Sequence, residues 1–276
     1  MYNTLGLYDG ISCGRLALDR AGIPHTYHAS EIDRHAIKVA QSNWPDTVQH
    51  GDVTRLRATD LPTIDLLMGG SPCKGFSTIG LGRGFEDPQS RLFWHFVRLI
   101  EECQPRYFLL ENVRMSKANR NIITAALGVE PILIDSALVS AQHRKRYYWT
   151  NIPGMTQPED RGITLDDIIE DPTDYKLVGG EWQKRVPDHM PRFVDPWNGK
   201  EITSGKSNTL RTNIANGNMW VRMGDGYRNL TVNECERLQT VPVGYTAAAT
   251  PNKGKKLLGN GWTVDVIVHL LRGMSV

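Results

Sequence analysis

The sequence predicts an α/β fold built on an open, mainly parallel β-sheet. Short apolar runs that end in Gly, Asp or Pro recur through the first half of the chain, and their length is typical of buried strands. Segments with helical periodicity separate them, and this alternation predicts parallel strands joined by helices. The predicted strands cover residues 5–8, 26–29, 64–68, 107–110 and 132–134. Because ligands of such sheets bind at the carboxyl ends of the strands, residues directly after strands are candidates for function.

The clearest helix prediction covers residues 90–103. Leu92, Phe96 and Ile100 recur at helical spacing on one apolar face, and Ser90 is suited to cap the first turn. These residues predict a helix that packs against the sheet. Helical periodicity is also present over residues 15–21, 230–238 and 262–271.

Composition places the chain among ordinary folded proteins. Of its 276 residues, 40% are hydrophobic and 22% are charged, which excludes a disordered chain, a collagen and a coiled coil. The 32 Lys and Arg residues against 30 Asp and Glu residues give a formal charge of +2. The bulk charge therefore does not indicate a nucleic-acid protein, and the local distribution of charge has to decide.

The cysteines point to a reducing compartment. Cys13, Cys73, Cys103 and Cys235 lie far apart, at spacings that predict neither a disulfide framework nor a metal site. No apolar run reaches membrane-spanning length, and the N-terminus lacks the layout of a signal peptide. We expect a cytoplasmic protein that has no metal and no membrane partner.

The composition of the chain changes after residue 150. An acidic stretch over residues 159–174 precedes a stretch rich in Gly, Asn and Thr, and apolar periodicity returns near residue 229. We therefore expect a small polar insert over residues 151–227, with residues 1–150 and 228–276 forming the main domain. Lys200, Lys206, Arg211 and Arg222 lie in the second of these stretches, where only Glu201 opposes their charge.

Acidic residues follow three successive extended segments near the N-terminus. Asp9 opens the glycine turn Asp9-Gly10-Ile11-Ser12-Cys13-Gly14, whose spacing is not G-x-G-x-x-G. Glu31 is placed to accept hydrogen bonds from ribose hydroxyls, and Asp52 to accept one from an adenine amino group. Each acid alone is more typical of a cap or a surface charge. The three in order indicate an adenosine-containing cofactor without a pyrophosphate.

A cysteine and a carboxylate follow two later strands. Cys73 stands in the glycine-rich turn Gly69-Gly70-Ser71-Pro72-Cys73, where a structural cysteine has little to pack against. Pro72 stiffens this turn by restricting its own φ angle and the conformation of Ser71. Glu111 ends the next strand, where it can act as an acid-base partner. The pair suggests covalent catalysis with a thiolate nucleophile.

Taken in order, the motifs of the chain resemble those of the C5-cytosine DNA methyltransferase family. The likeness extends from Leu5 to Leu271, and the catalytic domain is most similar to the eukaryotic de novo DNA methyltransferases. It implies a Rossmann-like S-adenosylmethionine-dependent methyltransferase fold with a mixed, mostly parallel seven-stranded sheet and a small target-recognition insert. The motifs are Tyr8-Asp9-Gly10, Ser71-Pro72-Cys73, Glu111-Asn112-Val113, Gln142-His143-Arg144-Lys145-Arg146, the run from Arg228-Asn229-Leu230-Thr231 to Pro242, and Gly259-Asn260-Gly261-Trp262.

The resemblance implies roles for four catalytic residues. Cys73 would attack C6 of cytosine, and Glu111 would hydrogen-bond N3 and the exocyclic amine of the base. Arg146 would bind the base O2, whereas Arg144 would orient a loop and contact a phosphate. Since C6 is inaccessible inside a duplex, the target cytosine would be flipped out of the helix.

The resemblance also implies S-adenosyl-L-methionine as the cofactor and S-adenosyl-L-homocysteine as the product. The methionine end would lie near the first glycine turn, the ribose on Glu31, and the adenine between Ile32, Asp52 and Val53. Asn260 and Trp262 would close the methionine side. The complete predicted set is Tyr8, Asp9, Gly10, Ile11, Glu31, Ile32, Asp52, Val53, Ser71, Pro72, Asn260 and Trp262.

Double-stranded DNA is the implied partner, and the insert is its expected reader. Lys206, Asn208 and Arg211 are the predicted DNA contacts of the insert beside Arg144, because Arg suits guanine and Asn suits adenine in the major groove. For Asn208 and Arg211, a contact to phosphate alone is nearly as well supported. Because this recognition region is small, we expect it to recognise a short DNA site or to act within a homodimer. We expect a bare catalytic domain of bacterial or phage type, with a partner restriction enzyme left open.

Three other functions stay open at this point. A tRNA-methylating relative would share the Pro-Cys and Glu-Asn-Val motifs, although its Cys-Phe-Thr tripeptide is absent from this sequence. A catalytically silent DNA-binding accessory protein is disfavoured by the intact Pro72, Cys73, Glu111, Arg144 and Arg146. A nicotinamide oxidoreductase is disfavoured by the missing G-x-G-x-x-G. Plain methyl transfer is preferred over transfer of a carboxymethyl group, which would need an extra cation near the sulfonium.

Overall fold

The computed structural model describes residues 1–72, 90–179, 184, 186–212 and 218–274. The chain divides into two compact units. The first unit comprises Met1–Ile134, Lys145–Pro158 and Val264–Val276, and the second comprises Asp135–Arg144 and Glu159–Thr263. Within the described ranges, no helix is long and apolar enough to cross a membrane.

A seven-stranded sheet forms the centre of the first unit, with the strand order β3-β2-β1-β4-β5-β7-β6. The pairs from β3 to β5 are parallel, and β7 runs antiparallel to β5. This confirms the mixed, mostly parallel sheet that the sequence predicts. The strands are β1 (Tyr2–Leu7), β2 (His25–Ser30), β3 (Val48–Gln49), β4 (Leu66–Gly69), β5 (Tyr107–Val113), β6 (Ile132–Asp135) and β7 (Lys145–Thr150).

The register of the parallel strands aligns their carboxyl ends. Leu7 of β1 pairs with Ser30 of β2 and with Gly69 of β4, and Gly69 pairs in turn with Leu110 of β5. Loops that leave β1, β2 and β4 therefore begin at one level of one edge. Glu111 lies at the same level because it follows Leu110 within β5. The topology brings the predicted acids and the turn before Cys73 to one side of the sheet.

Five helices of the described residues belong to the first unit, and α5 and α6 belong to the second. Phe93, Phe96 and Leu99 of α3 are completely buried, as the predicted apolar face requires. The predicted start of this helix is wrong, because Ser90–Leu92 form a 3-10 turn and α3 begins at Phe93 without a side-chain cap. The helices are α1 (Cys13–Arg20), α2 (Arg34–Asn43), α3 (Phe93–Cys103), α4 (Lys117–Leu127), α5 (Val232–Leu238), α6 (Pro251–Asn260) and α7 (Val264–Leu271).

The second unit contains a four-stranded antiparallel sheet that the sequence did not predict. Its strand order is β11-β10-β8-β9, and Val194, Trp220 and Tyr227 form its buried core. This unit takes in residues 228–263 as well as most of the expected insert. Its role in target recognition stays a prediction. The strands are β8 (Phe193–Asp195), β9 (Lys200–Glu201), β10 (Trp220–Met223) and β11 (Gly226–Asn229).

A buried ion pair holds the start of α5 in place. The Arg228 guanidinium donates to both carboxylate oxygens of Glu234, at 2.9 and 2.7 Å, and the two side chains are 1% and 0% exposed. Glu234 also accepts from the backbone N–H of Thr231 and of Glu170. Every oxygen lone pair of Glu234 is thus directed at a donor, as a buried charge requires.

Candidate active site

An ion pair joins two neighbouring strands at the carboxyl edge of the main sheet. Glu111 of β5 lies opposite Tyr148 of β7, and Val113 lies opposite Arg146. Since alternate residues of a strand face the same side, Glu111 and Arg146 project from one face on a diagonal. The Arg146 Nε lies 2.9 Å from Glu111 Oε1, and the side chains are 13% and 11% exposed. The pair thus places a carboxylate and a cation side by side, and both groups are nearly buried.

The turn after β4 is anchored beside this pair. The Asn112 side-chain amide donates to Ser71 Oγ at 3.0 Å, and Ser71 and Asn112 are both buried. Asn112 Oδ1 accepts from the Val113 N–H at 2.8 Å, so the Asn112 amide orientation is fixed at both ends. Ser71 and the half-buried Pro72 therefore leave the sheet from a defined position. The predicted nucleophile, Cys73, lies outside the described residues.

The turn after β1 has an unusual backbone. Tyr8, Gly10 and Ser12 all have positive φ angles, of 54°, 57° and 60°. The Asp9 carboxylate holds this conformation by accepting from Ser12 Oγ and, at 2.7 Å, from the Tyr27 hydroxyl. A side chain at Gly6 would place its Cβ 2.5 Å from both Asp9 Oδ1 and the Tyr27 oxygen. Glycine at this position is therefore required by the hydrogen bond above it.

Desolvation changes the ionisation of two side chains in this turn. Burial raises the pKa of Asp9 to about 6, and the hydrogen bonds from Ser12 and Tyr27 oppose this rise. Burial also raises the pKa of the Tyr8 hydroxyl, which donates to the Leu92 carbonyl at 2.5 Å. Tyr8 is thereby held against the 3-10 turn before α3. Gly10 leaves its N–H accessible to Glu31, and Ile11 is buried in the unit.

Glu31 joins the first two loops of this edge. Its carboxylate accepts from the N–H of Gly10 at 2.8 Å, of Ile32 at 2.7 Å and of Asp33 at 2.8 Å. Next to it, the Ile32 side chain is 74% exposed, although it is large and apolar. A carboxylate and an uncovered apolar surface thus adjoin each other where the sequence predicts a ribose and an adenine. Tyr27, which supports Asp9 from β2, was not among the predicted site residues.

Asp52 and Val53 differ in what they offer a ligand. Asp52 accepts from the Thr54 N–H at 2.9 Å, and this hydrogen bond holds the pKa of Asp52 below its usual range. The carboxylate is therefore an acceptor at neutral pH, as a contact with an adenine amine requires. Val53 is only 6% exposed and packs in the main core. The exposed apolar surface among the predicted adenine contacts is that of Ile32.

The second unit holds the remaining predicted residues, and two of them have different partners from those expected. The Arg144 guanidinium is buried and donates to the carbonyls of Leu210, Gly259 and Gly261, at 3.1, 3.2 and 2.8 Å. Arg144 thus joins three loop carbonyls, whereas its expected phosphate contact stays a prediction. The expected DNA contact of Lys206 would compete with internal partners. Its ammonium donates to the carbonyls of Ala137, Ser140 and Ile163.

The other predicted residues of the second unit lie closer to its surface. Asn208 is half-buried, and the Arg211 guanidinium carbon lies over the Trp197 ring, 5.2 Å from the ring centroid. Asn260 is exposed at the end of α6, and Trp262 is half-buried just after it. Trp197 was missed by the sequence analysis, since one aromatic residue in a polar stretch carries no periodic signal. Among the described residues, no group of three His, Cys, Asp or Glu side chains could hold a metal ion.

The family of the chain follows from its comparison with known proteins. The model of the C-5 cytosine-specific DNA methylase family matches residues 2–130 and 142–275. The chain belongs to this family. Its relatives include the type II methyltransferase M.NgoBI of Neisseria gonorrhoeae, which is 28% identical over 97% of this chain and 91% of its own length. The orphan methyltransferase M.Rho11sI of Bacillus phage rho11s is 36% identical over 94% of this chain, which spans 52% of that relative.

Solved structures of methylases agree with the fold. A mutant DNMT2 of Spodoptera frugiperda superposes with a TM-score of 0.75 at 20% identity, over 99% of both chains. At this identity the likeness concerns the fold alone. In a methylase, cofactor and base have to meet. The predicted cofactor and base contacts of the first unit lie in the loops at the carboxyl edge of its sheet and in the Glu111–Arg146 pair.

Proposed function

We propose that the chain is a DNA (cytosine-5-)-methyltransferase, which transfers a methyl group from S-adenosyl-L-methionine to C5 of a cytosine flipped out of a short duplex DNA site. The observation that carries this proposal is the Glu111–Arg146 pair at 2.9 Å. A carboxylate and a guanidinium on one face match the two polar edges of cytosine, since one accepts and the other donates hydrogen bonds. DNA as the substrate rests on the family and on the DNA-modifying relatives.

The chemistry needs a nucleophile because cytosine C5 is a weak one. The Cys73 thiolate forms a bond to C6, and the electron pair of the C5–C6 double bond then becomes available at C5. Glu111 accepts from the exocyclic amine and shares a proton with N3, and Arg146 donates to O2, so that both stabilise the charge that develops on the ring. After transfer, a base or water removes the C5 proton, the double bond re-forms, and the C6–Sγ bond breaks to release Cys73.

The residues at the ends of β1 and β2 fit the cofactor. When bound, S-adenosyl-L-methionine supplies the methyl group as an electrophile on its sulfonium. Glu31 would accept from the ribose hydroxyls, and the exposed Ile32 would cover one face of the adenine, which explains an apolar side chain that is 74% exposed. Asp52 would accept from the adenine amine. The turn at residues 8–12 would hold the methionine end, with Asn260 and Trp262 as further predicted contacts.

DNA is bound in this proposal by the second unit, which contains the predicted target-recognition region. Flipping the base costs a few kcal/mol of stacking and pairing, which contacts in the base pocket offset. Lys206 is not proposed as a contact, because its ammonium is engaged by carbonyls. Asn208 and Arg211 remain the proposed readers of base edges. A homodimer, a partner restriction enzyme and a cytoplasmic location stay predictions.

The test is methyl transfer from labelled S-adenosyl-L-methionine to unmethylated duplex DNA, with a tRNA pool in parallel. We expect label in DNA, and bisulfite sequencing should find protected cytosines in one short context. Cys73→Ala should abolish turnover while the cofactor dissociation constant stays nearly unchanged. Glu111→Gln should lower kcat by about a hundredfold, as for a positioned acid-base group.

The alternatives give different results in the same experiment. Label in tRNA alone would assign the chain to the RNA-methylating branch. Label in neither substrate, with cofactor binding intact, would favour an accessory DNA-binding protein. A loss of cofactor binding in Cys73→Ala would mean that the cysteine is structural rather than nucleophilic.

A further inference from the structure

We infer that Trp197 is a positioning residue for sequence readout: its indole holds the Arg211 guanidinium in the orientation that reads a guanine beside the target cytosine. This inference rests on the proposed function and deepens it. It starts from one contact, the Arg211 guanidinium carbon at 5.2 Å from the centroid of the Trp197 ring. Trp197 is 42% exposed, so a large aromatic surface is retained at the protein surface.

Trp197 occupies the tip of a tight hairpin. The turn between β8 and β9 consists of Pro196, Trp197, Asn198 and Gly199. Asp195 fixes this turn twice, since its side chain accepts from the Trp197 N–H at 2.9 Å and its carbonyl accepts from the Gly199 N–H at 3.0 Å. Gly199 has a φ of 66°, which suits glycine. The backbone that carries the indole is therefore well defined.

The backbone of Arg211 is fixed from the other side. Its N–H donates to the Asn218 side-chain oxygen at 2.9 Å. Its carbonyl group packs against Gly259, where an added Cβ would lie 2.7 Å from the Arg211 carbonyl carbon and oxygen. With both backbones held, the cation–π contact between the two side chains favours one direction for a long and otherwise flexible arginine.

The cation–π contact with Trp197 is compatible with a base contact by the Arg211 N–H groups. A cation–π contact takes up none of the strong acceptors that bidentate recognition needs, so the guanidinium N–H groups can still donate to a guanine. Within the described residues, the Arg211 guanidinium forms no ion pair with a carboxylate. Arg222 of the same unit differs, because its guanidinium donates to the carbonyls of Met190 and Gly224 at 2.9 and 3.1 Å.

The experiment measures guanine preference rather than activity alone. Duplexes that differ only in the bases flanking the target cytosine are methylated in competition, and kcat/KM is compared between guanine and the other bases at each position. The variants are Trp197→Leu, Trp197→Phe, Arg211→Ala and the double variant Trp197→Leu/Arg211→Ala. Arg222→Ala is the matched control, since it removes the same charge from a guanidinium that is already engaged.

We expect wild type to prefer guanine at one flanking position. Arg211→Ala should lower this preference by about tenfold, the scale of one bidentate base contact. Trp197→Leu should lower it by about two- to fivefold, as expected for an exposed cation–π contact, and Trp197→Phe should retain most of it. The double variant should match Arg211→Ala, because a residue that acts through arginine has no effect once the arginine is gone.

Several outcomes would overturn the inference. These are a wild-type profile without guanine preference, an unchanged preference in Trp197→Leu, or a loss of kcat/KM in Trp197→Leu that is equal in all contexts. A change of preference in Arg222→Ala equal to that in Arg211→Ala would also overturn it, because it would indicate bulk charge. If Trp197→Leu does not fold by circular dichroism, Trp197→Phe and Arg211→Ala decide. Failure of the wild type to methylate DNA would instead reject the proposed function.

Discussion

At the scale of the residue, the most informative side chain is Asp9. Its carboxylate supports a turn with three positive φ angles, and desolvation raises its pKa to about 6 from the ordinary 3.8. The hydrogen bonds from Ser12 and Tyr27 are not strong enough to reverse this effect. Asp9 therefore stabilises a local conformation while its own charge is unfavourable in the folded protein.

This balance predicts a pH dependence of stability. Because the folded pKa is raised, the folded state binds a proton more tightly than the unfolded chain between about pH 3.8 and about pH 6. The contribution of Asp9 to stability is therefore full below pH 3.8 and decreases as the pH rises through 6. The decrease should total about 2 kcal/mol. This is less than the full pKa shift would give, because Asp9 is partly exposed to solvent.

Asp9→Asn removes the titrating group and serves as the comparison. The difference in unfolding free energy between Asp9→Asn and wild type should shift in favour of the variant as the pH rises from 4 to 7. Urea unfolding at each pH measures this difference, and other ionisable groups cancel in it. A difference that stays constant across this range would show that the Asp9 charge is not destabilising.

At the scale of the element, the strands with apolar sequences could be predicted, and the short polar strands could not. β1, β4 and β5 are predictable because their apolar runs are buried on both faces of a parallel sheet. The strands of the second sheet are two to four residues long and include polar stretches such as Lys200–Glu201, so they give no periodic signal. The start of α3 was wrong for a related reason. Ser90 resembles a cap in sequence, but the chain first forms a 3-10 turn.

The element whose stability is easiest to test is α5. Glu234 lies in its first turn and pairs with Arg228 out of contact with solvent. Glu234→Ala should lower the free energy of unfolding by about 3 to 5 kcal/mol, because it leaves the guanidinium buried without a counter-charge. Urea or thermal unfolding followed by circular dichroism measures the loss.

A surface ion pair provides the control for that substitution. Glu201 lies 3.1 Å from His189, with side chains 42% and 64% exposed, so Glu201→Ala should change stability by no more than about 0.5 kcal/mol. Equal effects of the two substitutions would mean that the Arg228–Glu234 pair is not important for the fold. Glu234→Gln, which keeps the shape and loses the charge, should give an intermediate loss.

At the scale of the whole molecule, the sequence predicts the mostly parallel sheet better than it predicts the hydrogen-bond partners of each charged side chain. The topology brings the residues after β1, β2 and β4 to one edge, and this follows from strand order alone. Whether a charged group is available for a ligand depends on neighbours from distant parts of the chain. Arg144 and Lys206 look alike in sequence as DNA contacts, yet both side chains donate to carbonyls that lie far away along the chain.

Glu31 raises the same question, because its carboxylate already accepts three backbone N–H groups. A carboxylate has about four acceptor positions, so it can hold the two loops and still accept from a ribose hydroxyl. The stability of the whole protein can report this contact without any activity. A ligand at a hundred times its dissociation constant should raise the free energy of unfolding by about 2.7 kcal/mol.

S-adenosyl-L-homocysteine is the probe for this measurement, and each variant is compared with itself in the absence of probe. Glu31→Ala should weaken binding by about tenfold, the scale of one charged hydrogen bond, so that the same probe concentration stabilises it by only about 1.4 kcal/mol. Glu101→Ala, at an exposed position of α3, should retain the wild-type shift. The intrinsic loss of stability that Glu31→Ala suffers from its three broken hydrogen bonds cancels in this comparison. An equal shift in Glu31→Ala and wild type would restrict Glu31 to holding the two loops together.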